Sequence, residues 1–327
     1  MINAEISVSP ISGGLSMLSI ISKICIYIVI ILLGYLLKRS GRLTKQDARL
    51  LGVVIVNLTL PAALIRNADS ILIGPELPLL FFLGILANVM GLAAGYLLNH
   101  RKREPKTAAM MLTVSSYNIG AVLLPFVEMF YPGTGVAYLC MFDVGNAIMG
   151  LGISYAISKA VSIPGSRLTG KSILKTLVSS VPFMTYLILF ALACFHIQVP
   201  GFIMETANAI GAANGFLAML MIGLLLEFNL PRERLKEVLK VSGVRVAINV
   251  LLMALVWFMP FGAPFMKVIV MLCLASPVAS ASVVYVLECG YKGDLTGMVS
   301  TISILVSLSL IIVIILTIGF PFVMGGI

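Results

Sequence analysis

Ser115-Ser-Tyr-Asn-Ile-Gly-Ala-Val-Leu-Leu-Pro125 decides how this chain is read. The stretch lies inside an apolar segment long enough to cross a bilayer, yet it carries two hydroxyls, an amide, Gly120 and Pro125. A plain anchor helix has no use for such residues. They point to a helix broken at membrane depth, where freed backbone N–H and C=O groups must be buried in protein or face a wet cavity because lipid offers them no partner. A binding site is the usual reason to accept that cost.

The surrounding composition agrees with a membrane setting. Of 327 residues, 60% are hydrophobic and only 11% charged, well below the charged share of a soluble domain. The net charge of +9 comes from short basic clusters between apolar segments. Such clusters mark membrane topology and give no support to nucleic-acid binding. Cys25, Cys140, Cys194, Cys273 and Cys289 fall within or at the ends of apolar segments without metal-ligand spacing, so they read as packing residues and no metal is expected. The opening Met1 to Gly14 has no basic leader, and the first apolar segment is too long for a signal peptide, so it is expected to stay as a helix.

A span needs about 20 apolar residues, and charge, Gly and Pro then mark ten segments: 17–38, 47–68, 77–98, 107–130, 134–158, 172–195, 202–228, 241–260, 264–288 and 294–320. Lys and Arg cluster after the odd-numbered segments; Arg232, Arg234, Lys236, Lys240 and Arg245 are assigned to the loop after the seventh. Only Lys23, Arg66 and Lys267 fall elsewhere, which predicts a cell-membrane protein (the inner or plasma membrane) with both termini extracytoplasmic. Polar interruptions recur in matching places. The second and seventh segments carry Asn57 to Pro61 and Asn208 to Asn214, and the fourth and ninth carry Ser115 to Pro125 and Ala275 to Ser282. Five being odd, the chain is expected to be all-α, with residues 1–160 and 161–327 forming inverted five-helix repeats. Paired interruptions in such repeats point to a transporter site near the midplane.

Gly34-Tyr-Leu-Leu-Lys38, Val56-Asn-Leu-Thr-Leu-Pro61, and Asn118 followed by Pro125 resemble the auxin efflux carrier family, which includes the plant PIN exporters and many bacterial permeases. Phe195-His-Ile-Gln-Val-Pro200, Ala218-Met-Leu-Met-Ile-Gly223, Ser276-Pro277, Leu287-Glu288, Asp294 and Ser300-Thr301 extend the resemblance over nearly the whole chain from Ile21 onward. It implies ten helices in a bile-acid-symporter-like fold, a scaffold and a transport domain each assembled from both repeats, and a site where broken helices four and nine cross. The short loop after the fifth segment suggests a bacterial-type member. Tyr117 and Ser282 stand where plant members carry prolines.

Asn118 is the leading substrate-binding candidate, since an amide offers two donors and an acceptor. The half-helix after it presents free N–H groups and a positive dipole end that suit a carboxylate. Ser115, Ser116, Ser280 and Ser282 would extend that donor array, although membrane serines often bond to their own preceding turn. Pro61, Gly120, Pro125 and Pro277 are read as shaping the breaks. Asp143, the one carboxylate placed well inside a segment, either serves proton or cation coupling or bonds neighbouring backbone near the wetter outer end, and Asn146 shares its helical face. Asn57, Asn208 and Asn214 are either ligand contacts or interhelical glue. Arg66 reads as a snorkelling interfacial cation and Glu128 as interfacial. Gly91-Leu-Ala-Ala-Gly95 suits close helix contact, inside the chain or across a homodimer.

No H-E-x-x-H, G-x-S-x-G or phosphate-binding loop occurs, so no enzyme activity and no cofactor are expected. The leading expectation is a secondary carrier of a small organic anion, a dicarboxylate or an aromatic carboxylate, working by elevator-type alternating access with proton or sodium coupling. A sodium-coupled bile-acid-type symporter and a ligand-binding sensor without transport are the alternatives.

Overall fold

The computed structural model describes residues 17–68, 74–166, 170–227 and 232–324, which among themselves contain helices and no strands. Seven helices have the length and apolarity to cross a membrane: α1 (Met17–Arg39), α2 (Lys45–Arg66), α3 (Leu77–Leu98), α6 (Thr134–Ser162), α9 (Gly201–Leu225), α10 (Leu235–Phe258) and α13 (Leu295–Leu316). Two bent pairs raise the number to nine. These are α4 (Pro105–Ser115) with α5 (Ile119–Phe130), bent by 41°, and α11 (Pro264–Ala275) with α12 (Ser280–Glu288), bent by 46°. The sixth expected span is divided into α7 (Gly170–Val178) and α8 (Val181–Cys194). Ser180 causes the division: its Oγ accepts the Phe183 N–H as the cap of α8, with Pro182 in the first turn. The 14-residue α8 is shorter than a full span. A short α14 (Phe320–Met324) follows α13.

Local sequence explains where these helices begin and loosen. α2 opens with a capping box, in which Thr44 Oγ1 accepts the Asp47 N–H and Asp47 returns a carboxylate to the Thr44 N–H. Pro105 and Pro264 start α4 and α11, where a missing N–H leaves no bond unmade. Pro61 and Pro125 act differently, because each follows a widened π turn, Ile55–Thr59 or Ile119–Leu123, closed by Leu60 N–H to Ile55 O or Leu124 N–H to Ile119 O. The wide turn accommodates a ring that cannot donate to the carbonyl four residues back. Pro61 therefore loosens α2 without breaking it. The expected interruption at Asn208 to Asn214 is likewise only a local irregularity at Ala212 within α9.

Glycines bring certain backbones into direct contact. A side chain at Gly34 would meet the backbone of Leu220 and Gly223, and one at Gly223 that of Ile31 and Gly34, so α1 and α9 touch without side chains between them. A side chain at Gly211 would stand 2.9–3.0 Å from the backbone of Ala62 and Ala63, so α9 also meets α2 closely. Gly84 and Gly145 seat α3 against α6 in the same way, while Gly91 and Gly95 lie against Ser115 and Met111 of α4. The Gly91–Gly95 pair thus serves packing inside this chain. Phe126, Phe142, Leu123, Leu124 and Leu139 fill the centre between α5 and α6, whereas Leu32, Leu33 and Leu36 of α1 and Val250, Leu251 and Leu255 of α10 point outward. That inversion of a soluble surface is what a lipid solvent requires.

Candidate functional site

The bent pairs meet at their breaks. Ser116 and Ser276 are both extended, with φ/ψ of −95°/145° and −62°/148°, so each helix runs out of internal hydrogen bonds for several residues. The opposite strand of the crossing then supplies partners: the Asn118 N–H donates to Pro277 O at 2.9 Å, and the Ala279 N–H to Ser116 Oγ at 3.3 Å. Ser116 and Ser282 hydroxyls lie 2.7 Å apart, and Ser303 Oγ of α13 accepts the Val278 N–H at 3.1 Å. Asn118 Nδ2 donates to Ser280 Oγ at 3.1 Å. Asn118 is half-buried and Ser280 exposed, so the starts of α5 and α12 converge at an accessible point. There two helix N-termini, whose positive dipole ends suit an anion, come together.

The outgoing ends of α4 and α11 find a partner that sequence reading placed in a loop. Arg245 lies in the third turn of α10 and is only 3% exposed. It donates to Thr113 O at 3.1 Å, Val114 O at 2.9 Å and Ser276 O at 3.0 Å. Its guanidinium stacks 4.8 Å from the centre of the Tyr117 ring, whose hydroxyl donates to Asn249 one turn further along α10. The topology rule treated Arg245 as a loop cation because it counts charge by position along the chain. Its acceptors lie 31 to 132 residues away in sequence, so only the apolar residues on both sides of it could have signalled burial.

Beside the crossing stands a second polar group. Asp143 of α6 is 8% exposed; one carboxylate oxygen accepts from Asn146 Nδ2 at 2.8 Å and the other from the Tyr186 hydroxyl of α8 at 2.7 Å. Asn146 Nδ2 also donates to Tyr117 O at 3.1 Å, and Asn146 Oδ1 accepts from Asn88 of α3 at 3.1 Å. A side chain at Gly120 would stand 3.8 Å from the Asp143 carboxylate and 2.8 Å from Leu60, so glycine leaves the aspartate clear at the start of α5. An apolar cavity of about 370 Å³, lined by Phe81, Ala137, Cys140, Met141, Val144 and Tyr186, adjoins the aspartate's phenol partner.

The structure thus brings together Asn118, Ser116, Ser280, Ser282, Pro277 and Gly120, with Asn146 and Asp143 alongside. Ser115 is fully buried against Gly91 with no partner for its hydroxyl. Asn57 is exposed and donates to Val53 O in its own helix, while Asn214 accepts from Thr59 and links α9 to α2. Arg66 does not simply snorkel. It pairs with Glu128 at 2.9 Å, Asn67 donates to the same carboxylate oxygen at 2.8 Å, and the Glu128 side chain is 9% exposed. Glu128, near the end of α5, is thus also bonded across to α2.

Comparison with known proteins places this architecture. Residues 19–163 match the family described as Membrane transport protein. An uncharacterized transporter of Methanothermobacter thermautotrophicus is 26% identical over 234 residues, covering 69% of this chain and 74% of the relative. A second uncharacterized transporter, from Methanocaldococcus jannaschii, is 25% identical over 219 residues, covering 62% and 68%. The chain is thus an integral membrane protein, similar over residues 19–163 to a family of membrane transport proteins and over most of its length to two archaeal transporters.

Proposed function

We propose that the protein is a secondary carrier of a small organic anion, bound where α4–α5 crosses α11–α12. One observation carries this reading: Asn118 and Ser280 meet within hydrogen-bond distance at the converging N-terminal ends of α5 and α12, whose positive dipole ends suit a carboxylate. Ser116 and Ser282 hold the breaks in place, and Asn118 and Ser280 face the ligand.

In this reading the chain forms ten spans, with α7 and α8 together making the sixth, and residues 1–160 and 161–327 are inverted repeats. The crossing, with α3, α6, α10 and α13, moves past a scaffold of α1, α2, α8 and α9, exposing the site to each side in turn. The basic loops face the cytoplasm and both termini face out of the cell. Asp143 couples movement to protons, since it is buried within reach of the site and its two oxygens accept only from neutral amide and phenol donors. A thermal-stabilisation screen of carboxylates, each with its neutral amide as control, tests the site: a carboxylate should raise the melting temperature of the wild type and not of Asn118→Ala. Equal stabilisation of both proteins would move the site elsewhere.

A further inference from the structure

Arg245 is a buried cation without a carboxylate. Among the described residues the ion pairs are Lys45–Glu227, Arg66–Glu128 and Lys106–Glu237, and none involves it. Burying a cation at mid-membrane costs several kcal/mol even on lenient scales, so its surroundings must stabilise it strongly. What surrounds it is carbonyl oxygen: Thr113 O and Val114 O from the last turn of α4, and Ser276 O at the end of α11. These are the C-terminal ends of two half-helices, each equivalent to about −0.5 of an elementary charge. Together they amount to about −1, which a single guanidinium cancels. The N-terminal ends of α5 and α12, about +0.5 each, carry no such bonded counter-charge; the Asp143 carboxyl lies beside the start of α5 and leaves that end positive in its protonated, neutral form. Without Arg245 the four helix ends would sum to about zero.

We propose that Arg245 is the positioning residue that makes the crossing select an anion. Holding its charge on the outgoing ends of α4 and α11 leaves the incoming ends at Asn118 and Ser280 as a net positive site. The inference rests on the anion-carrier reading and names what sets its charge preference. Arginine suits the task because its planar fork reaches three acceptors on two chain segments at once, with the Tyr117 ring below it. Lysine can keep the charge at the cost of some of those bonds.

A thiol placed at the incoming end reads this potential without any substrate. In full-length Ser280→Cys protein in nanodiscs, the rate of alkylation of residue 280 by iodoacetamide is followed against pH by mass spectrometry. The thiol should titrate below the ordinary value of about 8.5. Arg245→Gln should cut its alkylation rate at pH 7 by about tenfold, a change of roughly one pKa unit. Arg245→Lys should keep the low value. A thiol that titrates at or above the ordinary value in the Arg245 background overturns the proposal by itself, so a misfolded Arg245→Gln cannot shelter it. A titration indifferent to Arg245→Gln overturns it too. If the thiol pKa is lowered as expected but no carboxylate stabilises the wild type, the carrier reading fails and the role of Arg245 in setting the potential stands. A carboxylate that binds Arg245→Gln as tightly as wild type removes Arg245 and leaves the carrier reading intact.

Discussion

The two broken helices share a design and differ in what holds their second halves. α5 is buried along nearly its whole length, and α1 and α2 grip it. The Tyr27 hydroxyl donates to Pro125 O at 2.9 Å, Lys23 Nζ to Met129 O at 3.2 Å, and Arg66 and Asn67 close on Glu128. α12 presents Ser280, Val284, Leu287 and Glu288 as exposed residues, and its side-chain bonds run to Ser116 and Asn118 of the first break and to Tyr155 of α6. Two helices with the same break are therefore clamped to different extents. The difference is that α5 is packed on all sides whereas α12 keeps one face exposed.

The largest expected effect comes from the asymmetry in charge. Asp143 stands beside the first break, against Gly120, whereas the hydroxyl of Ser303 holds the second. Asp143→Asn should abolish uptake driven by an imposed pH gradient in proteoliposomes while substrate exchange persists; undiminished gradient-driven uptake would remove this aspartate as the coupling group. Next come the paired ligand contacts. Asn118→Ala should weaken carboxylate affinity by about tenfold or more, as expected for a hydrogen bond to a charged group, and Ser280→Ala by about threefold. Calorimetric titrations giving equal losses would make the two breaks equivalent as ligand contacts.

The clamp itself supplies a third way to test the contrast. Glu128→Gln weakens the hold of α2 on α5, so a membrane-impermeant thiol reagent should label Ser280→Cys severalfold faster from the side opposite the basic loops. An unchanged rate from that side would mean that the Arg66–Glu128 pair is no seal. The smallest effect belongs to Asn57→Ala, since Asn57 is exposed and bonds only within its own helix. Its melting temperature and carboxylate affinity should match the wild type, surface changes of this kind lying within about 0.5 kcal/mol. A large loss would bring the π turn of α2 into the site.

Much of the helical framework was legible because lipid imposes a simple rule on composition. Runs of about 20 apolar residues must become helices, and the polar stretches at Asn118 and Ser276 interrupt two of them in plain view. The misplaced features all depend on partners distant in sequence. Arg245 read as a loop cation because nothing in residues 235 to 258 announces carbonyl groups arriving from α4 and α11. Glu128 and Arg66 read as separate interfacial charges because the bond between them spans 62 residues. The sixth segment read as continuous because Ser179 and Ser180 are tolerable inside a helix, and the side-chain cap at Ser180 becomes visible only with the backbone in place.

The glycine contacts also bear on which helices can slide. Backbone seated against backbone leaves no layer of side chains to shear across, so a pair joined in this way translates as one piece. Gly34, Gly223 and Gly211 weld α1, α2 and α9 together, and Gly84, Gly145, Gly91 and Gly95 weld α3, α4 and α6. The grip of α1 and α2 on α5 depends instead on a phenol, a lysine and an ion pair, contacts that can release and form again. On the proposed elevator reading, slip is expected where side chains rather than glycine backbone make the contact.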